Sequence, residues 1–170
     1  MNKVTLQLTD EQLARIQKML ADEPVPTGVR WRAEEGGKNW FVAGCGVALT
    51  SVDTGHSVDN YRYDTGNYYK TKDEAVVAEK KQSAMQKIFD YIAKGNAKKG
   101  WVADWHDEMQ SKYHATYDHQ NKELWFSWNH FIQAVDPRLY GHVDVIEQSI
   151  IDLESEYLIY FQDSEYLVLE

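Results

Sequence analysis

Cysteine is nearly absent from this 170-residue chain, which has only Cys45, between Gly44 and Gly46. A single cysteine excludes an internal disulfide and is typical of a protein in a reducing compartment. We interpret Cys45 as a small residue in a strand or bend rather than as a nucleophile. No apolar run approaches the ~18 residues of a membrane-spanning helix. The first four residues begin no apolar signal core, so we expect a cytoplasmic protein and no membrane partner.

Basic residues are nearly absent from the last fifth of the chain. Residues 136–170 contain one base, Arg138, and nine acids, which together give −8 of the chain's net charge of −9. The acids are Asp136, Asp144, Glu147, Asp152, Glu154, Glu156, Asp163, Glu165 and Glu170. An acidic end repels nucleic acid and most membrane surfaces, and it attracts basic protein grooves.

Signatures of catalysis, metal binding and phosphate binding are also missing. The six histidines include His106, beside Asp107, and His114, but none has the spacing of a zinc motif. No glycine-rich phosphate loop opens a helix. The aromatic residues lack the basic track that single-strand nucleic-acid binders need. We therefore predict no metal, no cofactor, no direct nucleic-acid contact and no enzymatic activity.

The elements that are present begin with a helix at 9–22, which a Thr9–Gln12 capping box and Leu13, Ile16 and Leu20 predict. Strands are predicted at 29–32 and 39–43, around a glycine turn at 34–37, and at 47–52. Residues 53–64 are expected to form a polar loop with a short strand at 61–63.

A second helix is predicted after Thr71, whose capping box includes Glu74, and it is expected to stop at Gly95 and Asn96. Its expected buried stripe is Ala75, Ala78, Gln82, Met85, Phe89 and Ile92. Alternating residues at 112–117 and 123–128 predict a hairpin that turns at 118–121. On it, Tyr113, Ala115 and Tyr117 share one face, and Leu124, Phe126 and Trp128 share one face.

A third helix is predicted from His142, with Val143, Ile146, Ile150, Leu153 and Tyr157 as its buried stripe. Residues 157–161 and 166–169 fit either a continuation of this helix or a terminal hairpin. The order of elements predicts an α+β fold in which about three helices pack on antiparallel hairpins. We expect one domain over 1–170, with similar halves at 29–96 and 101–161 as a further hypothesis.

The segment Gly66-Asn67-Tyr68-Tyr69-Lys70-Thr71-Lys72-Asp73-Glu74-Ala75 resembles one that recurs in small phage and prophage proteins of unknown function. The likeness extends from about Trp31 to Phe161 and includes the tryptophans at 101–105, but its motifs define no active site. It implies a phage accessory protein, present in the host cytoplasm, that acts by stoichiometric binding, such as an anti-CRISPR inhibitor of a defence nuclease.

Our leading expectation is therefore a non-enzymatic binder whose acidic C-terminal surface meets a basic host protein. The predicted contact residues are Asp144, Glu147, Asp152, Glu154, Glu156, Asp163 and Glu165. One alternative is a nucleotide- or ligand-binding protein or enzyme that uses the aromatic sheet face with His106, Asp107 and His114. The other is an oligomeric structural or assembly protein that buries its surplus aromatics between copies.

Overall fold

Two small antiparallel sheets and four helices make up the described part of the chain, in an α+β fold, as predicted. The structure is a computed structural model that describes residues 30–130 and 135–161. The helix predicted at 9–22 and the strand alternative at 166–169 lie outside these residues. In chain order the elements are β1 Lys38–Val42, β2 Ala48–Val52, α1 Ser57–Asp64, α2 Lys72–Lys99, β3 Lys112–Asp118, β4 Glu123–Asn129, a 3-10 turn Pro137–Leu139, α3 Val143–Asp152 and α4 Glu154–Phe161.

The long helix α2 begins where the sequence predicts. The Glu74 amide donates to the Thr71 hydroxyl over 3.2 Å, and the Glu74 carboxylate accepts from the Thr71 amide over 3.4 Å. This reciprocal pair confirms the capping box and satisfies two amides that the helix leaves open. Ala75, Phe89 and Ile92 are buried as predicted, whereas Gln82 is exposed. Ala84 and Ile88 are buried on the same helix.

The predicted stop of α2 at Gly95 and Asn96 is wrong. The helix continues to Lys99 and ends at Gly100, whose φ of 62° is left-handed. The Trp101 amide bonds back to the Asn96 carbonyl and the Gly100 amide to the Ala97 carbonyl, which is a Schellman motif. Gly95 has a packing role instead, because a Cβ there would lie 2.5 Å from Cγ1 of Val145. The glycine lets α3 approach α2 closely.

The first hairpin joins different strands from those predicted. Residues 30–32 form no strand, and β1 pairs with β2 through a turn at 43–47, where Gly46 has a φ of 77°. The earlier glycines prolong this ladder, because the Gly36 amide donates to the Asp53 carbonyl and the Asp53 amide donates to the Gly37 carbonyl. The short strand expected at 61–63 is also wrong, since these residues lie in α1. The Asp59 carboxylate fixes the turn before α1 by accepting from the amide and hydroxyl of Thr54.

A buried carboxylate organises the N-terminal half. Asp53 is 2% exposed and accepts from Nε of Arg32 over 2.9 Å, the Tyr68 hydroxyl over 2.7 Å and the Gly55 amide over 2.8 Å. The neighbouring Asn67 side chain pairs with both backbone groups of Val42 at 2.7 Å. Residues 66–75 therefore have a structural role, because Asn67 and Tyr68 fasten the connection between α1 and α2 to the first hairpin.

The C-terminal half is held by an apolar core. The register pairs Tyr113 with Trp128, Ala115 with Phe126 and Tyr117 with Leu124, which confirms the predicted shared faces. Buried residues of this core are Ile88, Phe89, Ile92, Ala115, Leu139, Ile146 and Tyr157. Apart from the 3-10 turn, each half has the order strand, strand, helix, helix. That the halves are similar copies of one unit remains a prediction.

The predicted third helix is two helices, α3 and α4, because the chain bends at Leu153, where φ is −125° and ψ is 33°. Ile146 and Tyr157 are buried as predicted, but Val145 is buried in place of Val143. The small Ser149 is also buried, and its hydroxyl bonds to that of Tyr157 over 2.9 Å. Residues 157–161 continue as helix, so the hairpin alternative is wrong for them.

We expect Gly95→Ala to destabilise the protein by about 1 kcal/mol, because overpacking against Val145 costs more than the ~1 kcal/mol that alanine gains in helix propensity. In a Val145→Ala background, where both clashing methyl groups are gone, the same change should become neutral or stabilising. Urea unfolding of the four variants measures both effects. An equal loss in the two backgrounds would contradict this account of Gly95.

We expect Asp53→Asn to lower the free energy of unfolding by about 2 kcal/mol at neutral pH, because a charged acceptor of hydrogen bonds from Arg32, Tyr68 and Gly55 is lost. The bond from Arg32, with those from Tyr68 and Gly55, lowers the pKa of Asp53 to about 2. The pKa of Asp53 is lower in the folded protein than in the unfolded chain, so the charged carboxylate stabilises the fold. This stabilisation is present above about pH 4 and is lost as the pH falls towards 2.

The difference between wild type and Asp53→Asn should accordingly shrink between pH 4 and pH 2, as followed by urea unfolding at each pH. Asp64→Asn, a matched change at an exposed carboxylate of α1, should stay within about 0.5 kcal/mol of wild type. A difference that is constant with pH would exclude Asp53 as the titrating group.

Candidate functional site

Five of the seven acids predicted to contact a partner are described, and they lie outside the core-facing sides of α3 and α4. Asp144, Glu147, Asp152 and Glu154 are exposed, and Glu156 is half-buried. Asp163 and Glu165 lie outside the described residues. The opposite faces of both helices pack into the core through Val145, Ile146, Ser149 and Tyr157. The described acids are therefore held on a fixed surface.

Three of these acids are engaged by side chains of α2. Lys99 pairs with Asp144, and Lys87 pairs with Glu156 over 3.0 Å. The Tyr91 hydroxyl donates to Asp152, which also accepts from Gln148. The bond to Asp152 raises the pKa of Tyr91 to about 12. Exposed pairs of this kind contribute little to stability each, but they fasten α3 and α4 to α2 and remove part of the charge that a partner would meet.

Two acids remain available around an exposed apolar side chain. Within the described residues, Glu147 and Glu154 have no ion pair or side-chain hydrogen bond, and Ile151 between them is 71% exposed. Glu147 and Ile151 are four residues apart on α3, so they lie one turn from each other on the same side. We refer to Glu147, Ile151 and Glu154 as the α3–α4 surface. An apolar centre with a charged rim is the composition typical of a protein interface.

The three residues of the alternative prediction differ in exposure. His106 and Asp107 are exposed in the segment between α2 and β3, where the Asp107 carboxylate accepts from the Met109 amide. His114 is 6% exposed, and its ring meets the edge of Tyr140, with centroids 5.0 Å apart. Burial lowers the pKa of His114 and so favours the neutral imidazole. Over residues 30–130 and 135–161, no three His, Cys, Asp or Glu side chains converge as a metal site.

A cleft of about 520 Å³ lies between the second half of α2, the segment after it and the 3-10 turn. We refer to it as the aromatic cleft, and its principal lining residues are Phe89, Asp90, Trp101, Trp105, Arg138 and Tyr140. Sequence reasoning did not identify it, because its walls are far apart in the chain. The one local signal is a pair of tryptophans four residues apart, directly after the helix-ending Gly100.

Two side-chain amides fix the walls of the aromatic cleft. Gln110 holds the tryptophan segment by accepting from the Asp104 amide over 2.7 Å and donating to the Val102 carbonyl over 2.9 Å. Asn96 of α2 donates to the Tyr140 carbonyl over 3.0 Å and accepts from the His142 amide over 3.1 Å. Next to Tyr140, Gly141 pairs with the edge of β3 through both backbone groups of Tyr113.

The charged side chains around the cleft differ in whether a side chain of opposite charge is paired with them. Arg138 lies over the Phe89 ring and makes two bonds to Asp136, at 2.9 and 2.8 Å. These bonds lower the pKa of Asp136 to about 2. Asp90 accepts from the Gln86 amide over 2.9 Å and has no basic partner among the described residues. The cleft therefore presents one carboxylate whose charge is not neutralised.

Lysine 112 is a buried cation behind the cleft. Lys112 is fully buried, and its ammonium donates to the carbonyls of Asp107 and His130, at 2.8 and 3.0 Å. It lies 5.5 Å from the centre of the Trp105 ring. Burying an unpaired ammonium is costly, and the two carbonyls and the ring offset that cost. Lys112 thereby holds the tryptophan segment against the second hairpin.

We expect Asn96→Ala to destabilise the protein by about 1 to 2 kcal/mol, because it leaves the Tyr140 carbonyl and the His142 amide without their partner, and alanine's higher helix propensity offsets only part of this. Gln86→Ala, the matched control on the same helix, removes one exposed hydrogen bond and should cost less than about 0.5 kcal/mol. Urea unfolding compares the two, and equal effects would contradict the role given to Asn96.

None of the helices in the described ranges combines the length and the apolar content needed to cross a membrane. No family model, curated protein or solved structure matches the chain significantly. The α3–α4 surface and the aromatic cleft are therefore interpreted from their own chemistry.

Proposed function

We propose that this protein acts without catalysis, by stoichiometric binding of a basic protein through the α3–α4 surface. The observation that carries the proposal is the exposed Ile151 between Glu147 and Glu154 on helices anchored in the core. An exposed apolar side chain of this size, with Glu147 and Glu154 on the same two helices, supplies contact area and charge selectivity.

The likeness of residues 66–75 to phage accessory proteins gives the proposal its biological form. In that form the protein is phage-encoded and inhibits a nuclease of host defence, whose nucleic-acid channel supplies the basic surface. A rigid acidic surface suits this role because it needs no ordering when it binds, so less binding free energy is lost to entropy. Of the seven predicted acids, Asp144, Asp152 and Glu156 are engaged by α2, and Asp163 and Glu165 lie outside the described residues. The proposal therefore centres on Glu147 and Glu154 with Ile151.

Affinity capture from a bacterial lysate, followed by measurement with the purified partner, tests this function. We expect wild type to retain one basic protein in equimolar amount, and its affinity to fall as salt rises. Glu147→Gln with Glu154→Gln should weaken binding about tenfold through lost charge. Ile151→Ala should weaken it by a similar factor through lost contact area, with less change in salt dependence.

Glu34→Gln with Glu35→Gln is the matched control, because it makes the same charge change at exposed residues before β1. This control should bind like wild type. If the Glu147 and Glu154 pair variant also binds like wild type, the proposed surface is wrong.

A further inference from the structure

We propose that the aromatic cleft is a binding site for an organic ammonium cation carried on an apolar body. The proposal is independent of the α3–α4 surface, which shares no residue with the cleft. Its volume of about 520 Å³ lies within the range of small-molecule sites. Its walls are fixed before any ligand arrives, by the bonds of Asn96 and Gln110 described above, so little ordering is required on binding.

The charges of the cleft select a cation. The Arg138 guanidinium lies 3.9 Å from the centre of the Phe89 ring and donates to Asp136 through Nε and Nη2, so its charge is balanced by that carboxylate. This pairing weakens the attraction of the cleft for an anionic ligand such as a phosphate. The Asp90 carboxylate has no such neutralising partner, and it accepts only one bond, from Gln86 to Oδ1. Its other oxygen is available to an incoming ammonium group.

The aromatic walls favour the same class of ligand. Trp105 already meets the edge of Tyr140, with centroids 5.0 Å apart, and has the Lys112 ammonium near its ring. Trp101 is half-buried and lines the cleft, and among the described residues it makes no ring-to-ring or cation–ring contact. Indole faces attract ammonium and quaternary ammonium groups most strongly among aromatic side chains. Asp90 and Trp101 both line the cleft, and we therefore assign the ammonium group to it.

The apolar surface of the cleft determines what carries the charge. Phe89, Ile92 and Tyr140 at its base are already buried, and the apolar surface still open to water belongs to the half-buried Trp101 and Trp105 and to Val102, which is 76% exposed. A small hydrated cation would leave this surface uncovered. An aromatic or branched apolar body attached to the ammonium group would cover it and add hydrophobic stabilisation.

Binding of benzyltrimethylammonium and phenethylamine, measured by calorimetry or by chemical-shift titration, tests the site. Two probes of similar size serve as charge controls, the neutral phenylpropanol and the anionic phenylpropionate. We expect the cations to bind at least tenfold more tightly than either control. Asp90→Asn should weaken the cations about tenfold and leave the neutral probe unchanged, because only the charge is altered.

Trp101→Ala should also weaken the cations several-fold, whereas Trp128→Ala, at a tryptophan outside the cleft, should not. Asp64→Asn is the charge control for Asp90→Asn. Circular dichroism checks that each variant is folded. The proposal is overturned if no cationic probe gives saturable binding up to about 10 mM. A Kd of 10 mM corresponds to a binding free energy of only ~2.7 kcal/mol. Equal affinity for neutral and cationic probes, or an Asp90→Asn variant that binds like wild type, would overturn it as well.

Discussion

The buried stripe of α2 is the constraint on which the rest of this fold depends. A helix of 28 residues is about 42 Å long, whereas strands of five and seven residues span only about 17 and 23 Å. Neither hairpin can cover the stripe alone. The first hairpin therefore packs on the N-terminal half of α2, and the 3-10 turn with α3 and α4 covers the C-terminal half. The two halves are also stabilised differently: the N-terminal half is organised around the buried Asp53, and the C-terminal half around an apolar core.

Because of this arrangement, the number of acids in the C-terminal sequence differs from the number left unpaired on the surface of α3 and α4. Residues 136–170 carry nearly all of the net negative charge, but α3 and α4 pack beside a helix that bears Lys87, Tyr91 and Lys99. Asp144, Asp152 and Glu156 are engaged by these donors, whereas Glu147 and Glu154, among the described residues, are not. The number of acids on α3 and α4 therefore overstates the unpaired charge that these helices present.

The features that the sequence predicts correctly depend on residues that are close together in the chain. The Thr71 capping box and the shared faces of β3 and β4 follow from residues three or two positions apart, so their patterns are visible without the fold. The errors come from distant contacts. Gly95 looks like a helix stop until Val145 is placed against it, and residues 61–63 look like a strand until Asp59 organises the turn before α1. The aromatic cleft joins residues 89–105 to 137–140, and nothing local relates the two segments.

One side chain links the two candidate sites. Asn96 fixes the Tyr140 carbonyl, which positions a ring of the aromatic cleft, and the His142 amide, which precedes α3. The His142 ring in turn caps α3 by accepting from the Asp144 amide over 3.3 Å. The orientation of the helix that carries Glu147 and Ile151 is therefore set by the residue that shapes the cleft. A ligand that displaced Tyr140 would act on the start of α3 through this same residue. Coupling between the sites requires such displacement, because a ligand that leaves Tyr140 in place has no differential contact with α3.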